Sequence, residues 1–242
     1  MNILLIAGHG AGDPGAIGRV NGKTYKEADL TRQVVSGLEK YLKPYANVSV
    51  YPTGSNAFDD QQLGKFLGLG NVKNQDYVLE IHFNASTADS GNGKVKGTEA
   101  FVTTSEAGVT VEQQILANLQ KLGYTNRGVK RKNWSVINAA KRAGVSSCLL
   151  EVCFIDDGDD MALYEKTKAK AAEAIALGVA EGFGLLKAKE KITVEEKKMT
   201  PEEAIEILHQ KGIINTPDYW TKHYGDLKYL DALLVKLGEY MK

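Results

Sequence analysis

Two cysteines are all that 242 residues carry, Cys148 and Cys153 in the segment "CLLEVC". On a strand their odd spacing points them to opposite faces, so a bond between them is not expected, and no disulfide framework can be built from so few. The chain reads as one folded in a reducing compartment. A surplus of positive charge is missing as well, since Lys+Arg and Asp+Glu number 30 each. Nucleic-acid binding, which leans on such a surplus, is therefore not expected. No segment approaches the roughly 20 apolar residues of a membrane span. The opening "MNILLIAGHG" has neither a basic start nor an apolar run of signal-peptide length. Neither membrane insertion nor a conventional secretion route is expected. Internal repeats and low-complexity tracts are also lacking. What is there is ordinary for a globular protein, 43% hydrophobic and 25% charged. The length suits one full-sized domain with something small beside it.

The hydrophobic pattern alternates between two periods. Ile3 to Ala7 is a continuous apolar run, the mark of a buried strand. Val34, Val35, Leu38 and Leu42 recur at helical spacing from Glu27 onwards, and Pro44 stops them. Further strands are expected over 47–53, 76–83, 97–103 and 146–155, and further helices around Leu63 to Leu69, over 111–122 and over 161–186. Strands alternating with helices predict an α/β domain, with a mostly parallel twisted sheet flanked by helices. In such sheets functional groups gather beyond the carboxyl ends of strands. His9, His82 and Glu151 each fall at or near such an end.

After residue 186 the composition changes. Residues 187–199, "KAKEKITVEEKKM", are charged and without apolar period, and read as a linker. Thr200-Pro201-Glu202-Glu203 then has the form of a capping box with proline at the first helical position. Gly212 suits a helix stop, Thr216-Pro217 a second start, and Leu227, Leu230, Leu234, Leu237 and Met241 the stripe of a third helix. Residues 200–242 are thus expected to form a small C-terminal all-helical module, with Trp220 in its core rather than on a binding face.

Only four histidines occur, and two of them, His9 and His82, lie in the large domain. Two histidines at strand ends with Glu27 and Glu151 nearby have the composition of a two-His, one-carboxylate metal site with an open position. Spacing by itself leaves this and two separately hydrogen-bonded histidines equally open. The segments "GHGAGDPGAIG", "EADL", "IHFNA" and "LLEVCFID", in that order, resemble the zinc-dependent N-acetylmuramoyl-L-alanine amidase family, type 3 branch, over residues 1–186. The resemblance implies that His9, Glu27 and His82 bind Zn²⁺ and that Glu151 is the catalytic glutamate. A Lewis-acidic ion would acidify water and polarise a carbonyl, and the glutamate would move the proton to the departing nitrogen.

The implied activity is cleavage of the amide between N-acetylmuramic acid and the L-alanine of the peptidoglycan stem. The implied setting is a phage endolysin, cytoplasmic until released at lysis. The alternatives are a bacterial or prophage autolysin, a zinc peptidase of the stem peptide, and a non-catalytic wall-binding protein. The tail resembles modules at the ends of phage-associated and Firmicutes cell-wall proteins, which implies wall targeting; its apolar stripe could equally form a homo-oligomer. Asp13 is read as a turn former. The chain departs from the family at Glu80, where a small residue is common. Glu80 shares a strand face with His82, either to orient it or in an edge role. The run after the catalytic glutamate, Val152 to Asp156, departs too. Cys153 shares a face with Glu151 by period and is expected to be a buried structural thiol.

Overall fold

The computed structural model describes residues 1–86, 95–186, 199–226 and 230–240, with Asp231 and Glu239 described by backbone only. Most of the expected linker, together with Leu227 and Met241 of the expected stripe, lies outside the described residues. The chain divides after Leu186 into two compact units. Among the described residues no helix is long and apolar enough to cross a membrane.

The first unit runs β1 (Asn2–Ala7), β2 (Ile17–Val20), β3 (Lys23–Lys26), α1 (Glu27–Leu42), β4 (Asn47–Val50), α2 (Ala57–Gln62), α3 (Phe66–Leu69), β5 (Tyr77–Asn84), β6 (Thr98–Val102), α4 (Thr110–Lys121), β7 (Asn126–Arg131), α5 (Ser135–Arg142), β8 (Ser146–Phe154) and α6 (Gly158–Gly182). Six strands form one sheet in the order β4-β1-β5-β8-β6-β7. All its pairings are parallel except β8 with β6. One face carries the larger core, built from Ile3, Leu5, Leu79, Ile81 and Leu150 against α1, α4 and α6. The other face is smaller, with Leu4, Ile6 and Val78 against Ala57, Phe66, Val136 and Ala140 of the shorter helices. Continuous apolar strands follow from this two-sided burial.

Three local departures from the sequence pattern have clear causes. The helix expected around Leu63 to Leu69 is two short ones. The first begins upstream, where the Asn56 side chain accepts from the Phe58 N–H, and Gly64 at φ +71° breaks the run. The β2–β3 hairpin was not read from the pattern, although its turn, Asn21-Gly22 with φ of +52° and +72°, is the pairing such hairpins favour. The third departure is a bulge. Between β5 and β8 the register passes from His82↔Glu151 to Asn84↔Phe154, so β8 holds one extra residue. A bulge reverses the alternation beyond it. Cys153 therefore joins Cys148, Leu150 and Val152 in the larger core, instead of sharing a face with Glu151 or lying opposite Cys148. Both thiols are free and buried.

The second unit contains α7 (Pro201–Gln210), α8 (Pro217–His223) and α9 (Leu230–Tyr240). Thr200 closes a reciprocal capping box, its hydroxyl accepting from the Glu203 N–H at 3.2 Å while the Glu203 carboxylate accepts from the Thr200 N–H at 3.1 Å. Met199, Ala204, Ile205, Leu208 and Leu234 form its core, and Trp220 packs against them. Ile213, Tyr219, Leu233, Leu237 and Tyr240 stay exposed.

Candidate active site

The chain leaves β1 through Gly8, and His9 follows with φ +62°, a conformation uncommon outside glycine. The loop is pinned rather than loose. The Gly8 N–H donates to the Ile81 carbonyl at 2.9 Å, and Gly10 and Asp13 exchange backbone bonds. The Arg32 guanidinium, on α1, donates to the carbonyls of Ala28, His9 and Thr53 at 2.9–3.1 Å and reaches that of Gly8 at 3.3 Å. Gly10, Gly12 and Gly15 take positive φ, and Gly8 and Gly15 also keep space for the cluster. A Cβ on Gly8 would fall on the His82 imidazole, and one on Gly15 would come within 2.7 Å of both the His9 ring and the Glu27 carboxylate. Gly8 has an ordinary φ, so Gly8→Ala is a test of space alone. It is expected to push His82 aside and, if the cluster holds a metal ion, to weaken that binding by about 10–100-fold, as losses in a ligand's support typically do. Competition with a chromogenic chelator measures this.

Glu27 is the first residue of α1 and is buried. Its Oε1 accepts from the Phe83 N–H at 3.0 Å and its Oε2 from the Ala16 N–H at 2.9 Å. His9 Nε2 lies 3.1 Å from Oε2, and His82 Nδ1, on β5, lies 3.0 Å from Oε1. One ligand atom from each of His9, Glu27 and His82 falls within 4.8 Å of the others, a group able to hold a metal ion. Burial alone would raise the Glu27 carboxyl, but hydrogen bonds from His82 and His9 outweigh it and hold it far below the usual range. Burial would likewise lower His82, yet its bonds to Glu27 and Glu80 hold it well above its ordinary value, and His9 is raised for like reasons. The cluster favours positive charge.

Asp13 does more than turn the chain. Its Oδ1 accepts from the Gly15 N–H, while its Oδ2 sits 2.7 Å from His9 Nδ1 and accepts from Asn56. Glu80 is buried, not at an edge, with Oε1 3.1 Å from His82 Nε2. Glu151 stands opposite His82 in the β5–β8 register. Its Oε2 is buried without a hydrogen-bond partner. Burial, reinforced by the Glu27, Glu99 and Glu80 carboxylates and opposed by His82, pushes its carboxyl up to about 7.

These groups open on a cavity of about 420 Å³, walled by Phe58, Trp134, Val136 and Leu149. Phe58 and Trp134 are half exposed there, and Lys132 Nζ lies 3.7 Å above the Trp134 ring. Behind Glu151, the buried Glu99 accepts from Arg127, Lys130 and Asn84, which assigns Asn84 a structural partner. Arg32, Glu99 and Arg127 were not singled out in the sequence. Nothing local marks them, because, apart from Ala28 one helical turn before Arg32, their partners lie 15–31 residues away. His209 and His223 belong to the second unit, where they bond the Ile214 carbonyl and Asp226.

Fold and site together define an α/β domain with a cluster of three side chains able to hold a metal ion, a carboxylate oxygen buried beside it without a hydrogen-bond partner, and an apolar-walled groove. Residues 3–181 match the model of the type 3 amidases, described as N-acetylmuramoyl-L-alanine amidase, and the chain belongs to that family. It is 27% identical over 220 residues to "Probable autolysin PH" of Staphylococcus aureus, covering 82% of this chain and 43% of that protein. It is 29% identical over 178 residues to "N-acetylmuramoyl-L-alanine amidase LytC" of Bacillus subtilis, covering 72% of this chain and 34% of that one. The chain thus spans less than half the length of these two relatives. Among solved structures, the catalytic domain of CwlV, an N-acetylmuramoyl-L-alanine amidase from Bacillus (Paenibacillus) polymyxa var. colistinus, superposes with a TM-score of 0.62 at 24% identity. That match covers 76% of this chain and 98% of the CwlV domain, and it establishes the likeness of fold.

Proposed function

We propose that this chain hydrolyses the amide joining the lactyl group of N-acetylmuramic acid to L-alanine in peptidoglycan, with Zn²⁺ held by His9, Glu27 and His82. The observation that carries the reading is Glu151 Oε2, buried, unpartnered and beside the three-ligand cluster. The residues fit the ion. Two imidazoles and one carboxylate are a recurrent catalytic zinc set, and glycines clear the space around them. When bound, Zn²⁺ supplies a Lewis acid that acidifies water and polarises a carbonyl. Glu151 takes the attacking water's proton on Oε2 and delivers it to the leaving amide nitrogen. A carboxyl near 7 can do both. The apolar wall of Phe58 and Trp134 receives the substrate beside that carboxylate.

Digestion of purified peptidoglycan tests the reading. New L-alanine amino groups without new reducing sugars are expected. New amino ends within the stem would favour a zinc peptidase, and no new ends at all a wall-binding protein. The lytic setting, endolysin or autolysin, belongs to the same proposal; the name of the Staphylococcus aureus relative supports a lytic role. Clearing of a wall suspension by externally added protein is the measurement.

The second unit we propose to serve targeting or self-association, on the strength of its exposed Leu233, Leu237 and Tyr240. Truncation after Leu186 is expected to leave a folded Zn²⁺-binding protein, because the four site residues and the sheet beneath them all precede that point. Loss of wall binding or of oligomeric mass in the truncated chain distinguishes the two roles, and global unfolding would refute the division.

A further inference from the structure

Both histidines of the cluster are held from behind by a carboxylate, and the two holds are unequal. Asp13 Oδ2 lies 2.7 Å from His9 Nδ1 on a side chain 44% exposed, whereas Glu80 Oε1 lies 3.1 Å from His82 Nε2 on a side chain 5% exposed. An ionised carboxylate only accepts hydrogen bonds, and a neutral imidazole carries one N–H. Each ring stands between two carboxylates, Glu27 on one side and Asp13 or Glu80 on the other; an ion that takes the nitrogen facing Glu27 leaves the ring proton on the nitrogen facing Asp13 or Glu80. The lone pairs offered to an ion are then those of His9 Nε2 and His82 Nδ1, the two nitrogens that face Glu27 at 3.1 and 3.0 Å.

We propose that Glu80 is the positioning residue of this centre, fixing His82 in the tautomer that offers Nδ1 to the ion and contributing the negative charge that retains it. The proposal rests on the metal-centre reading above. Two observations favour Glu80 over Asp13 as the dominant hold. Water can replace an exposed carboxylate at His9, but not a buried one at His82. A buried carboxylate is also unfavourable unless nearby positive charge offsets it. With a divalent cation on its other nitrogen His82 is neutral, and the cation then supplies that offset. Strand geometry makes the contact unavoidable, since residues two apart on β5 project from the same face.

The test is Zn²⁺ affinity of the full chain, read by chelator competition without any peptidoglycan. Glu80→Ala is expected to raise the Kd by about 10–100-fold, with activity returning at saturating Zn²⁺. Glu80→Gln keeps an acceptor but not the charge and should fall between, and Asp13→Ala should cost less than Glu80→Ala. Should the Ala variant fail to fold, the near-isosteric Gln variant carries the test. Long-range ¹H–¹⁵N correlation on the Zn²⁺-loaded wild type is expected to show His82 protonated on Nε2. Unchanged Kd in the folded variants, or metal on Nε2, would overturn the role of Glu80 while leaving the metal centre standing. Failure of the wild type to bind Zn²⁺ would overturn both.

Discussion

A Glu151→Gln chain is expected to bind Zn²⁺ like the wild type and to lose about 10²–10⁴-fold in kcat, the usual worth of a general acid–base. The side chains are close in shape, so the β5–β8 register that sets Glu151 opposite His82 should persist. What disappears is an oxygen able to hold and release a proton. The pH profile carries the same information. Burial raises the Glu151 carboxyl to about 7, and a base works only when deprotonated, so kcat/KM should fall as pH drops through that region. A bound cation favours the charged carboxylate and moves the limb lower. In the Gln variant this limb should be missing. Near-normal turnover by that variant would remove Glu151 from the mechanism.

His82→Ala is expected to lose both the metal and the activity, a larger effect than any other single change. It deletes one of the three side chains proposed to hold the ion and leaves Glu27 and Glu80 without the imidazole that each now bonds. Metal content after dialysis, measured against the wild type, checks it. A full complement of Zn²⁺ in the variant would sink the ligand set. Affinity in the wild type should also strengthen as pH rises. His9 and His82 are both held above their ordinary values by their carboxylates, so protons compete with the ion until those pKa values are passed.

How far the site could be read from sequence depended on whether its contacts are local. The turn "GHGAGDPGAIG" announced a special backbone, and two of its glycines, Gly8 and Gly15, do abut the cluster. The clearance these two leave for His82 and Glu27, from β5 and α1, is something no local pattern reveals. Glu80 was open between two roles because alternation gives a face but not its depth. Burial at 4% removes the edge role. Arg32 looks like any helix-surface arginine until the loop after β1 folds over it.

The sequence by itself determined the class of fold, the positions of most strands and helices, the capped start of the second unit, and the residue types available for chemistry. These follow from period, capping and composition, which act over a few residues. Only the tertiary structure decided the rest: the antiparallel entry of β6, the bulge that turns Cys153 into the core, and the convergence of His9, Glu27 and His82 within 4.8 Å. Strand direction and register are set by packing between segments far apart in the chain. A one-residue insertion in β8 moves a side chain from one face to the other without altering the apolar pattern that announced the strand.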